Sequence, residues 1–600
     1  MNLKALSIGF IVTAVFIQPA FSAIAIQVDV TRGRLAISPD IYGRNNDFSD
    51  QPSNPTSAGN IALYKAAGLR MSRDNGGNNS TKYNWRKKLS SHPDWYNNVY
   101  KHDWGFTSQD VQSRLTGVDL LWALQVLGKV ARTDSANYPD GGDGSNASKN
   151  WAGGGDITKY LMDWPADSVA GIFQNWFSPV SSGGLGLDST RLRYWDMDNE
   201  PEVWGSTHDD VVTGPITAED YLTRYFAVAK AARAKFPGIR IVGPVFTNEW
   251  QWYAWNNATI TGKDAKNYCW VEYFIKRVAE EQTASGVRLL DVVDFHFYPG
   301  TTNAFDITQL HRVWFDTTYN YPGANGCKEV SGAWNNSETK EYVMERVRRW
   351  LTKYMGADNH VGFAVSEHGA LTGSANVIAL WYASMLGTFA DQGATIFTPW
   401  DWYPGQWEVL HLFSTNAKAT RVLSFSALDT VVSAYSSVNP AGDSLTIICV
   451  NRSPATVQTA QISLTGFTPQ AGSDSVLELS SLPVTETFTA TSNALKRRSM
   501  SVSGTSLSLD LPAYSITALL LKGTSASVLS GPRIAGTRYT PGKGRIRCLD
   551  LAGRTLFVAK SGITQHELGL RLKRLGHGCF IVRDELTTVS RIVVGADLAQ

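Results

Sequence analysis

Residues 217–246 read TAEDYLTRYFAVAKAARAKFPGIRIVGPVF, a stretch that predicts an amphipathic helix leading directly into a buried strand. Thr217 and Asp220 have the spacing of a capping box, so we expect the helix to begin there. Its apolar side chains recur on one face, and Pro237 with Gly238 ends it. The run IRIVGPVF that follows is mostly apolar, as in a buried strand. A helix followed by such a strand is the repeating unit of α/β folds with a parallel sheet.

The same alternation of helices and strands extends from about Ile41 to Pro404. Counting the apolar runs gives about eight strands, and this number favours a closed (β/α)8 TIM barrel, which we place at residues 41–407. The runs that carry the pattern, besides the opening stretch, are LRMSRDNGGN, LLWALQVLG, VRLLDVVDFHFYP, HVGFAVSEHGA and ATIFTPWDWYP, and helices such as EYVMERVRRWLTKYMG and VIALWYASMLGTFADQG lie between them.

Beyond the barrel the sequence changes to short segments in which apolar and polar residues alternate, for example LTIICVNRS and TVQTAQISLTGF. This pattern is typical of an antiparallel β-sandwich, which we place at residues 408–522. The segment 26–40 alternates in the same way and is expected to add strands to that sandwich. A linker rich in Ser, Gly and Thr at 523–537 then leads to a small C-terminal β domain at 538–600.

Residues 1–25 have one lysine, an apolar run and small residues at the end, which is the pattern of a cleaved secretory signal, with a retained anchor as the alternative. No later run is long enough to span a bilayer, so we expect an exported protein, extracellular or at the cell surface.

Lys and Arg number 55 and Asp and Glu 53, which argues against nucleic acid as a partner. The five cysteines leave at least one thiol unpaired, and Cys548 with Cys579 is a candidate disulfide that we weigh equally against two buried free thiols.

In a barrel of this kind the active site lies at the carboxyl ends of the strands, so polar residues that end an apolar run are the candidates. Glu200 ends the run LRYWDMDNEP, and Asp196 and Asp198 alternate before it. Glu367 ends the run VGFAVSEHGA. An acid at such a place more often caps a helix or joins an ion pair. Two glutamates at the ends of the fourth and seventh strands, however, would face each other across the barrel mouth. One protonated and one ionised carboxyl is the pair that cleaves a glycosidic bond.

Several separated motifs resemble glycoside hydrolase family 44, a family of barrel endoglucanases and xyloglucanases. The resemblance covers about Ile26 to Gly523, including the sandwich. Many related barrel glycosidases share the NEP tripeptide, so the resemblance depends on the whole set of motifs. These motifs are RDNGGNNSTKYNW, DNEPEVW followed by THDD, DFHFYP, VSEHG and TPWDW.

The resemblance implies a retaining mechanism with Glu200 as general acid/base and Glu367 as nucleophile. It implies that Asn199 binds the sugar 2-hydroxyl, although capping the next helix is the simpler alternative. Arg73 corresponds to an arginine that holds the nucleophile ionised. Here the chain departs from the usual Arg-Trp-Gly-Gly-Asn, because Asp74 and Asn75 stand in that loop and a tryptophan stacking surface is missing.

Further candidates line the predicted cleft. His296 and Tyr298 alternate in DFHFYP and are expected to face the barrel interior, where Tyr298 can donate a hydrogen bond to Glu367. For His296, a buried ring that satisfies a backbone carbonyl is an equal alternative. Flat indole rings at the strand ends suit the face of a sugar, although core packing is at least as common for any single tryptophan. The tryptophans in question are Trp85, Trp204, Trp400 and Trp402.

Two expectations concern features outside the cleft. The loop YPDGGDGSNASKN contains Asp140 and Asp143, oxygen ligands that calcium prefers, but it lacks the full EF-hand pattern, so a structural calcium and a plain surface loop both stay open. Catalysis itself is expected to need no cofactor. The C-terminal unit, with DLAGR and GCFIVR, resembles the sorting domains of the bacterial type IX secretion route, with a carbohydrate-binding or spacer domain as the alternative.

The sequence therefore predicts a secreted, monomeric endo-β-1,4-glucanase that acts on xyloglucan or cellulose-type polysaccharide. One alternative is a related retaining barrel that cuts xylan or another hemicellulose. The other is a carbohydrate-binding protein without catalytic activity.

Overall fold

The structure is a computed structural model of the 600-residue chain. It describes residues 23–45, 58–91, 99–133, 157–212, 214–324, 340–482 and 494–525, together with short strands at 327–328 and 334–335 and four C-terminal strands. The chain divides into two compact units, Met1–Ala526 and Ser527–Gln600. We describe each unit by itself.

The centre of the first unit is a sheet of eight parallel strands in sequential order. The sheet is nearly closed, because the Asn45 amide of the first strand donates to the Pro399 carbonyl beside the last strand at 3.0 Å. The predicted (β/α)8 barrel is confirmed, and Glu200 and Glu367 follow or end its fourth and seventh strands. We number the barrel strands β1 to β8 in this order: Gly43–Asn45, Met71–Arg73, Asp119–Leu124, Tyr194–Met197, Arg240–Phe246, Val292–Phe297, Gly362–His368 and Ile396–Phe397.

Helices surround this sheet. The helix Ala218–Lys235, which the opening sequence predicts, begins with a complete capping box between Thr217 and Asp220. Its apolar face, including Leu222 and Tyr225, is fully buried against the barrel. The other α-helices are Ala58–Ala67, Asn78–Thr81, Trp104–Arg114, Ala166–Phe177, Trp204–Thr207, Glu249–Trp252, Trp270–Ser285, Ala304–Gln309, Val343–Met355, Ala375–Gln392 and Gln406–Asn416.

Eleven strands form the second sheet system of this unit. Its N-terminal strand pairs antiparallel with Thr420–Ser426 and parallel with Gln458–Thr465, so the start of the chain joins the sandwich. A core of apolar side chains and Cys449 fills the space between these strands. The strands are Ile24–Asp29, Leu35–Ala36, Thr420–Ser426, Val432–Val438, Ser444–Asn451, Gln458–Thr465, Phe467–Pro469, Gly472–Leu479, Lys496–Val502, Ser506–Leu511 and Ser515–Ser525.

Element ends differ from the expected boundaries in three places. The first sandwich strand begins at Ile24, inside the segment 1–25 that the sequence assigns to a signal. The last barrel helix ends at Asn416 rather than near residue 407, and the last sandwich strand runs on to Ser525. Helix ends and strand ends depend on hydrogen bonds that composition does not reveal, which explains these shifts.

Shorter strand pairs lie in the loops of the first unit, and the second unit contains one antiparallel sheet of four strands. Within the described residues, no helix has the length and apolar character needed to cross a membrane. Cys269 and Cys449 are buried, and the side chains of the other three cysteines lie outside the described part. The loop pairs are Leu89–Ser91 with Val99–Lys101, Lys129–Ala131 with Leu161–Asp163, Ile260–Thr261 with Asn267–Tyr268, and Cys327–Lys328 with Trp334–Asn335; the C-terminal strands are Ile546–Leu549, Thr555–Ala559, Cys579–Asp584 and Ser590–Val594.

Candidate active site at the mouth of the barrel

The three acids around the end of β4 have three different environments. Asp196 lies within the strand, is fully buried, and accepts a hydrogen bond from Arg73 Nε at 2.7 Å. Asp198 accepts from the backbone amides of Val126 at 2.6 Å and Leu127 at 3.1 Å, so it fixes the loop after β3. The Glu200 side chain is 17% exposed and faces the barrel mouth. Of the three acids, Glu200 is therefore the one placed to meet a substrate.

The backbone around Glu200 is unusual for residues with side chains. Glu200 has φ of 42° and Asp198 has φ of 73°, both in the left-handed region. Such conformations cost on the order of 1–3 kcal/mol each and are concentrated at functional sites. Glu200 precedes the short 3-10 helix Pro201–Val203, but its side chain makes no capping hydrogen bond. The Glu200 side chain therefore does not cap this helix, and the simple capping alternative does not hold.

Two hydrogen-bond donors converge on Glu367 at the end of β7. Arg73 Nη1 lies 2.7 Å from Oε1, and the Tyr298 hydroxyl donates to Oε2 at 2.6 Å. The Glu367 side chain is only 7% exposed. Because both oxygens are engaged, the carboxylate is held in one orientation, with the hydrogen bond from Tyr298 that the sequence predicts.

The two glutamates face each other across His296. His296 Nδ1 lies 2.8 Å from Glu200 Oε1 and 3.3 Å from Glu367 Oε2. One ligand atom from each of these three residues lies within 4.8 Å of the other two. The predicted convergence of the two strand ends is therefore present. His296 binds a carboxylate rather than a backbone carbonyl, so the simpler alternative for this ring does not hold.

Burial gives these groups unequal proton affinities. Loss of water raises the pKa of Glu200, which favours a protonated carboxyl, although a hydrogen bond from Thr247 opposes the shift. Loss of water also lowers the pKa of His296 to about 3, so the ring is neutral at ordinary pH. A neutral ring does not supply the positive charge that would draw the proton away from Glu200.

Arg73 organises the polar layer beneath the glutamates. Besides Asp196 and Glu367, its guanidinium donates to Asn45 Oδ1 at 3.1 Å and to Asn199 Oδ1 at 3.2 Å. The loop that departs from the family pattern packs directly on it, because a Cβ on Gly76 would lie 2.5 Å from the guanidinium carbon. A glycine at this position therefore lets the loop cover the arginine.

Asn199 lies beside Glu200, and its side chain is hydrogen-bonded to other side chains of the protein. It is 2% exposed, accepts from Arg73, and donates from Nδ2 to Asn78 Oδ1 at 3.1 Å. The side chain therefore lies close to the predicted sugar position and is held from two sides.

The four candidate tryptophans separate into two groups. Trp204 is fully buried and its Nε1 donates to the Asn199 carbonyl at 2.8 Å, so the prediction that it extends the cleft is wrong. It instead holds the turn that carries Asn199. Trp85, Trp400 and Trp402 are half-buried.

The half-buried indoles have different neighbours. The Trp400 ring lies against the loop after β2, since a Cβ on Gly77 would meet it at 2.9 Å. Trp402 packs on Trp407 with ring centroids 4.6 Å apart and has Arg44 over its ring at 5.2 Å. Trp85 Nε1 donates to the Ser168 carbonyl at 3.0 Å. Trp400, directly after β8, is thus the best placed of the set to contact a sugar near the glutamates.

Sequence reasoning missed several buried polar residues around the site. Asp294 precedes His296 by two positions in β6, so strand alternation could have revealed it. Ser366 could not be found this way because it precedes Glu367 directly. Lys82 and Asp210, whose buried ion pair at 2.6 Å joins the loops after β2 and β4, are far apart in sequence. The calcium candidates Asp140 and Asp143 lie outside the described residues.

The family assignment follows from comparison with known proteins. Residues 89–301 match the family model of glycoside hydrolase family 44. The matched segment of the barrel is similar to glycoside hydrolase family 44. The matched span contains Glu200, His296 and Tyr298, whereas Arg73 and Glu367 lie outside it. The resemblance that the separated motifs indicate is therefore confirmed.

Curated relatives are similar to part of this chain. Endoglucanase A of Paenibacillus lautus is 25% identical over 309 residues, which are 47% of this chain and 41% of the relative. The chain spans less than half the length of the curated relatives it matches.

Solved structures share the fold of the family 44 barrel with its sandwich. CelM2, a bifunctional glucanase-xylanase from a metagenome library, has a TM-score of 0.67 and 21% identity, covering 84% of this chain and 99% of its own. A family 44 xyloglucanase from Paenibacillus polymyxa, solved with xyloglucan, has a TM-score of 0.63 and 17% identity, covering 83% and 99%.

Proposed function

We propose that this protein is a retaining endo-β-1,4-glucanase that hydrolyses xyloglucan or cellulose-type β-glucans. The observation that carries the proposal is the pair Glu200 and Glu367, whose nearest ligand atoms lie within 4.8 Å in unlike environments. Retaining glycosidases place their carboxyl groups about 5–5.5 Å apart, whereas inverting enzymes need about 6.5–9.5 Å for a water molecule. The short approach supports retention.

In the first step Glu367 acts as the nucleophile. A carboxylate oxygen attacks the anomeric carbon and forms a glycosyl ester while the bond to the leaving oxygen breaks. Arg73 and Tyr298 keep the carboxylate oriented for this attack. The leaving oxygen takes its proton from Glu200, whose raised pKa favours the protonated state before reaction.

In the second step the roles at Glu200 reverse. The deprotonated Glu200 takes a proton from water, and the resulting hydroxide attacks the anomeric carbon and releases Glu367. Each step inverts the anomeric centre, so the product keeps the original configuration. No metal takes part in this sequence of steps.

The proposed substrate class rests on the site and on the activities named for the relatives. The protein has nearly equal numbers of acidic and basic residues. Binding an uncharged polysaccharide does not require a strong electrostatic potential at the protein surface. Trp400 and the half-buried Trp85 and Trp402 offer aromatic rings to the flat faces of sugars. Xylan or another hemicellulose is the second candidate, since one structural neighbour is described as a glucanase-xylanase. A carbohydrate-binding protein without activity is the third.

We further propose that the protein is exported as a monomer and acts outside the cell or at its surface. The segment 1–25 would direct export, and the C-terminal unit would engage a type IX sorting route. Detection of the full-length chain in the cytoplasm of its native cells, with none outside, would count against export.

Reducing-sugar release separates these candidates. The panel contains xyloglucan, carboxymethylcellulose, mixed-linkage glucan and xylan, with the Glu367→Ala protein as the control. We expect release from xyloglucan or the cellulose-type polymers that is lost in the control. Release from xylan alone would support the second candidate. Binding without release from any polymer would overturn the proposed catalysis.

A further inference from the structure

A continuous chain of hydrogen bonds runs from Glu200 into the barrel interior. Glu200 Oε1 lies 2.8 Å from His296 Nδ1, and His296 Nε2 lies 3.1 Å from Ser366 Oγ. Ser366 Oγ in turn lies 2.5 Å from Asp294 Oδ2. His296, Ser366 and Asp294 are fully buried, so this chain leads from the mouth of the barrel to a carboxyl that solvent does not reach.

A β-bulge places Ser366 in this chain. In the pairing of β6 with β7, Phe295 lies opposite Val365 and His296 lies opposite Glu367, so Ser366 is the extra residue. Bulges next to active sites redirect side chains that regular alternation would send elsewhere. Here the extra residue turns its hydroxyl toward His296 and Asp294, while Glu367 still reaches the mouth.

The hydrogen bonds between Glu200 and Asp294 can all be donated in either of two directions. A neutral imidazole has one N–H, and a serine hydroxyl has one hydrogen, so each group donates once and accepts once. In one direction protonated Glu200 donates to Nδ1, Nε2–H donates to Ser366, and Ser366 donates to ionised Asp294. In the other, protonated Asp294 donates to Ser366, Ser366 to Nε2, and Nδ1–H to ionised Glu200. Both directions satisfy all three hydrogen bonds.

We propose that His296 and Ser366 form a proton wire through which Glu200 and Asp294 share one proton. When the proton moves to Glu200, the Asp294 O–H, Ser366 O–H and His296 Nδ1–H bonds break. The Ser366 O–H is re-formed with the proton from Asp294, and the Nε2–H and Glu200 O–H bonds form. One proton moves from Asp294 to Glu200, and neither His296 nor Ser366 ends with a charge. The inference rests on the proposed function, because it concerns the acid of that reaction.

The groups around the inner end of the wire favour a proton on Asp294 when the cleft is empty. Asp294 faces Asp196 and Arg73, and burial together with the Asp196 charge raises its pKa well above the ordinary value. Arg73 is already paired with Asp196 and Glu367. An uncharged Asp294 therefore avoids an unpaired negative charge next to the Asp196 carboxylate.

The groups around the outer end allow the proton to return. Glu200 faces Thr247, Arg73 and Glu202, and His296 also faces Glu367. A sugar lying over Glu200 removes its remaining contact with water, and desolvation favours the neutral form of a carboxyl. Substrate binding is thus expected to draw the shared proton to Glu200 as the reaction begins.

The Asp294→Asn substitution tests the wire because it should fix one direction. The Ser366 amide donates to Asp294 Oδ1 at 2.9 Å, so an asparagine would turn its oxygen to that amide and its NH2 to Ser366 Oγ. Ser366 must then donate to Nε2, and Nδ1–H to an ionised Glu200. We expect kcat/KM on polysaccharide to fall by about 10²–10⁴, the usual contribution of general acid catalysis. An aryl cellobioside with an activated leaving group, which needs no acid, should keep its rate within about threefold.

Ser366→Ala interrupts the wire without fixing its direction. We expect the alkaline limb of kcat on polysaccharide to move to lower pH by about one unit, because Glu200 then titrates alone rather than with Asp294. The double variant Ser366→Ala/Asp294→Asn should recover to the level of Ser366→Ala, since the asparagine no longer reaches Nε2. Thr398→Val is the matched control, because Thr398 Oγ1 donates to the Ser366 carbonyl at 2.8 Å but lies outside the wire.

The outcomes separate the wire from the proposed function. Equal loss on the polysaccharide and on the activated glycoside in Asp294→Asn would overturn the wire, because it would indicate a displaced nucleophile. An alkaline limb of Ser366→Ala that coincides with that of wild type and Thr398→Val would also overturn it. If the wild-type protein cleaves polysaccharide but Glu367→Gln cleaves it equally well, the proposed function fails instead.

Discussion

The two ends of the barrel interior are built from the same strands but have opposite chemistry. The lower layer is apolar and contains Met71, Tyr194, Val292, Ala364 and Ile396. Two residues further along the first four of these strands, the buried layer beneath the mouth is polar, with Arg73, Asp196, Asp294 and Ser366 in that order. Packing alone does not require this change, because buried charges oppose folding unless they are paired. In the proposed mechanism the upper layer is therefore the part of the barrel that serves the reaction, and the lower layer is the part that stabilises the fold.

The largest expected effect follows from changing Glu367, the proposed nucleophile above the polar layer. Glu367→Gln keeps the shape of the side chain but removes the attacking carboxylate. We expect kcat on xyloglucan or carboxymethylcellulose to fall by on the order of 10⁴ or more. Circular dichroism and thermal unfolding should stay close to wild type. Activity within tenfold of wild type would remove Glu367 from the proposed mechanism.

A matched pair of substitutions compares the two layers directly. Arg73→Met leaves Asp196 and Glu367 without their buried cation and should cost about 3–5 kcal/mol of stability together with most of the activity. Ile396→Ala in the lower layer should cost about 2–5 kcal/mol but leave kcat unchanged well below its melting temperature. Denaturant titration and initial rates measure both quantities. Equal losses of kcat in the two variants would contradict the division into layers.

A smaller effect is expected from the hydroxyl that orients the proposed nucleophile. Tyr298→Phe removes the hydrogen bond to Glu367 Oε2 while keeping the ring. Hydrogen bonds to charged groups contribute about 1.5–3 kcal/mol, so we expect kcat to fall by about 10- to 100-fold. Tyr253→Phe, which removes a hydrogen bond to Glu341 elsewhere in the barrel, is a control that should leave kcat near wild type. The comparison fails if both variants lose activity equally.

The smallest effect per unit of change, here one pH unit, concerns stability and a buried acid next to the site. Burial raises the pKa of Glu202 to about 8, so the folded protein holds a proton that the unfolded chain releases near pH 4.5. The stability from this group is fully present below about pH 4.5 and is lost as pH rises toward 8. Between pH 5 and 8 the free energy of unfolding of wild type should fall more steeply than that of Glu202→Gln, by on the order of 1 kcal/mol per pH unit. Parallel denaturation curves for the two proteins at both pH values would contradict this expectation.

Sequence reasoning brought Glu200 and Glu367 together because of a simple rule. The carboxyl ends of parallel strands meet at one end of a barrel, so acids that end apolar runs in β4 and β7 must approach each other. The same rule fails where the backbone departs from regular alternation. The bulge that adds Ser366 is a detail of pairing between two strands, and neither strand carries a local signal for it.

The indole rings illustrate a second limit of sequence patterns. Trp204 and Trp400 both follow barrel strands, yet Trp204 is fully buried while Trp400 is half-buried beside the cleft. An aromatic side chain suits a core and a sugar equally well, so residue type does not separate the two cases. The ion pair of Lys82 with Asp210 is missed for a related reason, because two loops far apart in sequence meet only in the folded barrel.

The stereochemistry of the first product tests the central claim most directly. Proton NMR can follow the anomeric signals during the first minutes of hydrolysis of a β-1,4-linked glucan oligosaccharide, before the new reducing end equilibrates. The approach of Glu200 and Glu367 predicts that the β-anomer appears first and the α-anomer only later, by mutarotation. Initial formation of the α-anomer would mean inversion and would contradict the double displacement by these two glutamates.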